Sequence, residues 1–232
     1  LEEPVGSGSE AQKVETARWL SAARWLTSVP IVAGRSLVGR VALFFAGAYL
    51  FLWVPDIDLV LIGLLHHRSI ITHSILPGLL LLFFGRKLGA APVSGALIGT
   101  SVHLSADLLS PMVGYAQIWL PAPYNSALGD LSYLWLAGNA VIGFGLASLI
   151  TRSAFGHKIS LPLILVVSAS TGLVYGVVNE EAVSAVLITW LILLMSLFPE
   201  ANLRGRLSRA VSSPATHASS RDATVDKSTE AD

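Results

Sequence analysis

Cysteine is absent from the 232 residues, which excludes disulfides, thiolate metal sites and cysteine nucleophiles. Charge is scarce as well. Asp, Glu, Lys and Arg make up only 13% of the chain, about half the share found in a domain that lives in water. Fifteen basic residues are balanced by fifteen acidic ones, which leaves no basic surface for a nucleic acid. Hydrophobic types reach 53% and the mean hydropathy is +0.66, which argues against a disordered scaffold and a soluble enzyme. What the chain does have is long apolar runs. They imply an all-α protein, a polytopic transmembrane bundle integral to a cell membrane.

A membrane-crossing helix takes about 20 mostly apolar residues. Residues 131–151 and 159–178 meet that outright, and 182–198 comes near it without a single charge. Residues 88–109 are long enough but contain His103 and Asp107, and 70–84 are short and contain His73. The first run, 41–54, borrows from 36–40, with Arg40 snorkelling to the interface. About six spans are therefore predicted. Residues 59–65 are too short to cross and read as a re-entrant or interfacial helix.

Apart from Arg68, the lone basic residue of the intervening loops, the basic residues fall before the first span, between the second and third (Arg86, Lys87), between the fourth and fifth (Arg152, Lys158), and after the sixth. With six spans all of these lie on one side, so both termini are expected in the cytoplasm. Three regions follow: an N-terminal cytoplasmic or interfacial segment over 1–35, the bundle over 36–198, and a disordered cytoplasmic tail over 199–232. In the first, Trp19 and Trp25 read as anchors of an interfacial helix.

The bundle contains few ionisable groups, and they are unevenly spread. Asp56, Asp58 and Asp107 fall near His66, His67, His73 and His103, while His157 and His217 lie in a basic loop and in the tail. Ionisable groups at membrane depth are expensive, so they face an interior cavity and mark function. His103 and Asp107 are four residues apart and share one helix face, where an imidazole and a carboxylate can hold one cation. At a rise of about 1.5 Å per residue, His103 sits roughly 9 Å inside the end of its span. Singly, each residue has a plainer reading. Asp56 and Asp58 could cap a helix, His66 and His67 could lie at the interface, and His73 and His103 could each be satisfied by one interhelical hydrogen bond. Pro77 lacks the N–H that would bond the carbonyl of His73, which predicts a free acceptor and a kink there. Gly95 and Gly99 form a GxxxG, read here as tight helix packing.

Three stretches together resemble a known family. Pro55-Asp56-Ile57-Asp58, His67-Arg68-Ser69-Ile70-Ile71-Thr72-His73-Ser74 and His103-Leu104-Ser105-Ala106-Asp107-Leu108-Leu109-Ser110-Pro111 are similar to motifs of the membrane-bound metal-dependent hydrolases (the YdjM-like group). The likeness covers about residues 40–125 and includes Trp119-Leu120-Pro121. It departs from the family pattern in having no histidine before His66 and Leu59 where a histidine commonly follows the acidic element. The resemblance implies a metal-dependent hydrolase.

On this reading the candidate metal ligands are Asp58, His67, His73, His103 and Asp107, and the candidate catalytic groups are Asp56 and Arg68. His66, Thr72 and Ser74 are candidates for orienting the ligands from behind. Nitrogen and carboxylate donors without thiolate point to a divalent metal, zinc first, with manganese and iron as alternatives. One ion, or two sharing a carboxylate, fit equally. Arg68 either pairs with the cluster or holds a phosphate oxygen. A site recessed below the non-cytoplasmic face suits a membrane lipid or lipid-like substrate, its ester or phosphoester attacked by metal-activated water. Two other readings use the same cluster: a metal-ion or proton-coupled transporter, and a catalytically inactive, metal-stabilised membrane protein. The 112–130 loop, with Tyr115, Trp119 and Tyr124, reads as an interfacial anchor or as a lid.

Overall fold

A computed structural model describes residues 36–62, 64–111 and 115–212. The predicted segment 1–35, including Trp19 and Trp25, and residues 213–232 lie outside them. Every named element is helical, and among the described residues β-pairing is confined to isolated bridges, Ser69 to Trp119 and Trp119 to Ala127. Three helical stretches are long and apolar enough to cross a membrane, Leu37–Leu59, Leu131–Phe155 and His157–Asn179, and Val183–Leu197 is a shorter apolar helix.

Helix α1 (Leu37–Phe51) opens at Ser36, whose hydroxyl accepts from the Gly39 N–H at 3.1 Å. The chain then tightens into a 3₁₀ turn, Pro55–Leu59, with the proline in its first turn. Beyond Leu59, the last residue of that turn, the described residues up to 65 form turns and a bend, and Leu59, Val60, Leu61, Ile62 and Leu64 are exposed, in place of the expected re-entrant or interfacial helix.

The second expected span is also shorter than predicted. Helix α2 is Leu76–Phe84, nine residues, or about 14 Å of rise. Pro77 explains this: it sits in the first turn and starts the helix, so residues 70–75 bend and there is no helix for it to kink. A single 3₁₀ turn, Arg86–Leu88, leads into α3 (Ala90–Asp107).

Helix α3 is the axis of the bundle. Every residue in it except Pro92 is buried, and it packs against α1, α2 and the two helices that follow. Being covered by protein on all sides, it tolerates Ser94, Thr100, Ser101 and Ser105, which a lipid-facing helix would not favour. The predicted GxxxG forms a seam: a Cβ at Gly95 would run into the Phe44 carbonyl and one at Gly99 into that of Ala48, while Gly47 of α1 faces the Pro92 carbonyl. Only bare backbone lets α1 and α3 approach this closely.

Helix α4 (Leu131–Phe155) ends at Gly156, whose φ of 76° turns the chain directly into α5 (His157–Leu173). Helix α5 continues as a π-helical turn, Val174–Asn179. The Glu180 N–H reaches the Tyr175 carbonyl at 3.0 Å, and Glu181 follows at a φ of 50°. Helix α6 spans Val183–Ser212, so helical backbone runs past the Pro199 at which the sequence placed the start of a disordered tail. Contacts nevertheless divide the chain after Leu197. Large apolar side chains such as Leu134, Ile142, Val166, Val178, Leu187 and Leu191 are exposed around α4, α5 and α6. An apolar surface of this extent is what a membrane would cover.

Candidate metal centre

The centre is organised around one buried carboxylate. The 3₁₀ turn drives Asp58 fully into the protein, while Asp56, two residues earlier, keeps 21% of its side chain exposed. Asp58 Oδ2 accepts from the Ser69 N–H at 3.0 Å and the Thr72 hydroxyl at 2.7 Å, and lies 3.2 Å from His73 Nδ1. Its Oδ1 faces His67 Nδ1 at 3.2 Å. A single side chain therefore gathers the irregular segment 67–73, whose backbone has no helix to satisfy it. The hydrogen bond to Asp58 pushes the His67 imidazole above its ordinary pKa, and burial works against that rise.

Helix α3 supplies the other wall. The seam with α1 brings the Leu52 carbonyl 2.8 Å from His103 Nδ1, which donates to it. That hydrogen bond puts the proton of a neutral imidazole on Nδ1 and leaves the lone pair on Nε2. In His73 the contact of Nδ1 with Asp58 does the same. The two Nε2 atoms are 3.3 Å apart. Asp107 Oδ2 lies 3.3 Å from His73 Nε2 and 3.4 Å from His103 Nε2, and Asp56 Oδ1 lies 3.8 and 3.7 Å from the same atoms. Asp107 Oδ2 has no hydrogen-bond donor although it is buried.

Four electron-rich atoms thus face one another in a buried space. One proton satisfies a single pair of them, whereas a cation would satisfy His73 Nε2, His103 Nε2 and Asp107 Oδ2 together and leave a position for water beside Asp56. These three atoms, 3.3–3.4 Å from one another, have the spacing of ligands at about 2.0–2.1 Å from a tetrahedral ion, whereas Asp56 Oδ1 stands farther off. Asp56, His73 and His103 form one group able to hold a metal, and Asp56, Asp58 and His67 form a second, with Asp56 common to both. Asp58 and Thr72 also lie behind His73 and hold its ring, as the partners of a ligating histidine do.

Arg68 is almost completely buried, and its backbone is held at a φ of 60°, outside the range a non-glycine residue prefers. The Trp119 N–H donates to its carbonyl at 3.0 Å, which fixes that conformation. Its guanidinium reaches Asp107 Oδ1 at 3.4 Å and the Ser110 hydroxyl at 3.0 Å. The centre opens into a cavity of about 130 Å³ lined by Asp56, Leu59, His67, Arg68 and Asp107 together with Tyr175, Asn179 and Glu180.

Two of the residues with sequence-assigned roles stand apart. His66 Nε2 meets Asn125 Oδ1 at 3.0 Å beside the Trp119 ring, away from the cluster. The Ser74 hydroxyl donates to the Ile71 carbonyl and accepts from the Leu76 N–H, so it caps α2. Other residues are at the site with no role assigned from sequence. The Tyr175 hydroxyl lies 3.3 Å from His103 Nε2. Trp135 Nε1 donates at 2.9 Å to the His73 carbonyl, the acceptor that Pro77 leaves free. Asn139, isolated in sequence, accepts the Ile75 N–H. The signals for these were weak: an apolar run ending in Asn179-Glu180, and one amide inside a long apolar span. No family model, curated protein or solved structure matches this chain.

Proposed function

We propose that this chain is a multi-pass membrane hydrolase in which a divalent cation, zinc by preference, activates water against an ester or phosphoester of an amphiphilic substrate. The observation that carries the reading is the convergence of four electron-rich atoms, His73 Nε2, His103 Nε2, Asp107 Oδ2 and Asp56 Oδ1, beside a cavity. A cation bound there would supply Lewis acidity and bring the pKa of a water near neutrality. The chain's own residues do the rest. Asp56, the most accessible of these groups, receives the proton of the attacking water, and Arg68 holds an anionic oxygen of the substrate at the cavity wall. Asp58 and Thr72 keep the His73 ring turned toward the centre.

In this reading the chain crosses the membrane six times, the second crossing made by the bent segment 70–75 together with α2, and both termini are cytoplasmic. The site then lies toward the non-cytoplasmic face, within reach of a lipid headgroup. Hydrolysis is favoured over transport by the other end of the bundle, where buried hydroxyls such as those of Ser94 and Thr151 bond to carbonyls of their own helices. The test is the metal content of detergent-purified protein alongside a His103→Ala/Asp107→Ala variant. Near-stoichiometric zinc, manganese or iron in the parent and its loss in the variant is expected, followed by metal-dependent release from lipid phosphoesters. A parent that stays empty after incubation with all three ions would sink the proposal.

A further inference from the structure

Glu180 is a buried carboxylate that the centre does not use. It is 4% exposed, its Oε1 accepts from Asn179 Nδ2 at 2.9 Å, and its Oε2 has no hydrogen-bond partner. Buried carboxylates are rarely left so, because each unsatisfied oxygen keeps most of its desolvation cost. Glu180 belongs to neither group of candidate metal ligands, yet it lines the cavity those groups open into. The backbone that carries it is irregular: the π-helical turn from Val174 and the left-handed Glu181 deliver it beside Tyr175 and Asn179. Interruptions of this kind are frequent at functional sites.

The charges around the cavity say what it lacks. Asp56, Asp58, Asp107 and Glu180 bring four carboxylates against one guanidinium, that of Arg68. A divalent ion at the centre would offset charge among its own ligands, whereas Glu180, which belongs to neither ligand group, has only the Asn179 amide against it among the described residues. An acceptor without a donor, beside an aromatic ring and carrying excess negative charge, suits an alkylammonium bearing N–H groups. The terminal torsion of a glutamate is broad, so either of its oxygens can turn to the cavity at little cost.

We propose that Glu180 binds a primary ammonium of the substrate, so that the site takes a phosphoester whose alcohol part carries an amine, the phosphate toward Arg68 and the amine toward Glu180. This rests on the hydrolase reading for the phosphate and on Glu180 alone for the amine. The experiment measures calorimetric binding of O-phosphoethanolamine, phosphocholine and ethyl phosphate to the full chain in detergent, for the parent, E180Q and E180A, with metal content assayed in each. Phosphoethanolamine should bind the parent about tenfold or more tightly than ethyl phosphate, as a charge-assisted hydrogen bond implies. Phosphocholine, which has no N–H, should gain much less. Both variants should lose the preference while keeping their metal and their affinity for ethyl phosphate.

Equal binding of the three compounds to the parent would overturn the proposal and leave water as the partner of Glu180. So would a preference that survives in E180A, or loss of metal in E180Q, which would make Glu180 a ligand. A metal-free parent that still prefers phosphoethanolamine through Glu180 would overturn the hydrolase reading and keep this one.

Discussion

Buried polar side chains in the body of the helices and those at the metal centre satisfy themselves in opposite ways. Ser101, Thr151, Thr171, Thr189 and Ser196 each donate at 2.7 Å to the carbonyl four residues earlier in the same helix. At the candidate centre, apart from the His103–Asp107 pair four residues apart on α3, the partners are distant in sequence: Asp58 with Thr72, His73 with His103, Arg68 with Asp107, His103 with Tyr175. A hydroxyl on a helix has an acceptor within reach on its own helix wherever that helix is placed, which these five use and Thr100 and Ser168 do not, so its burial says little about function. A buried carboxylate cannot be satisfied by the carbonyls of its own helix, which have no proton to donate. It must recruit groups from other elements, and the fold must be arranged to bring them.

Substitutions can sharpen or break this contrast. Asp58→Ala should have the largest effect, since Ser69, Thr72 and both histidine Nδ1 atoms lose their acceptor; about 3 kcal/mol or more is expected in a detergent unfolding titration, with metal affinity reduced at least 10–100-fold. Gly99→Leu should cost about 1–3 kcal/mol by forcing α1 and α3 apart. Because that moves the Leu52 carbonyl away from His103, the variant should also hold its metal less tightly in a competition with a coloured chelator. Trp135→Phe removes one hydrogen bond to the His73 carbonyl and should lower stability by about 1 kcal/mol. Ser196→Ala should change stability by no more than about 0.5 kcal/mol and leave metal content untouched. If Ser196→Ala proved as damaging as Asp58→Ala, the distinction between local and recruited polar groups would not hold.

The long apolar helices were legible because composition alone decides them: 131–151 and 159–178 lie inside helical stretches able to cross a membrane. The short α2 was misread because hydropathy counts apolar residues without asking whether the backbone ahead of Pro77 can stay helical. His103 and Asp107 could be paired from their spacing, since a regular helix converts a separation of four into a shared face. Asp56 and Asp58 could not be told apart in the same way. In a 3₁₀ turn of three residues per turn, two positions apart differ by about 240°, and which of the two is buried depends on where the turn docks. Tyr175 and Glu180 were invisible for a related reason. A π turn shifts the register at the end of α5, so a helical wheel places them on faces they do not occupy.

Every candidate ligand for a cation belongs to residues 56–107, whereas Tyr175, Asn179 and Glu180 complete the lining of the cavity. A chain synthesised from its amino end therefore has all of its cation-binding groups in hand well before the residues that close the cavity exist. If the centre takes a cation, loading and enclosure are separate events in the birth of the protein. An ion bound by these groups would be captured before the last helices complete the cavity, with no need for a passage wide enough to admit a hydrated ion afterwards.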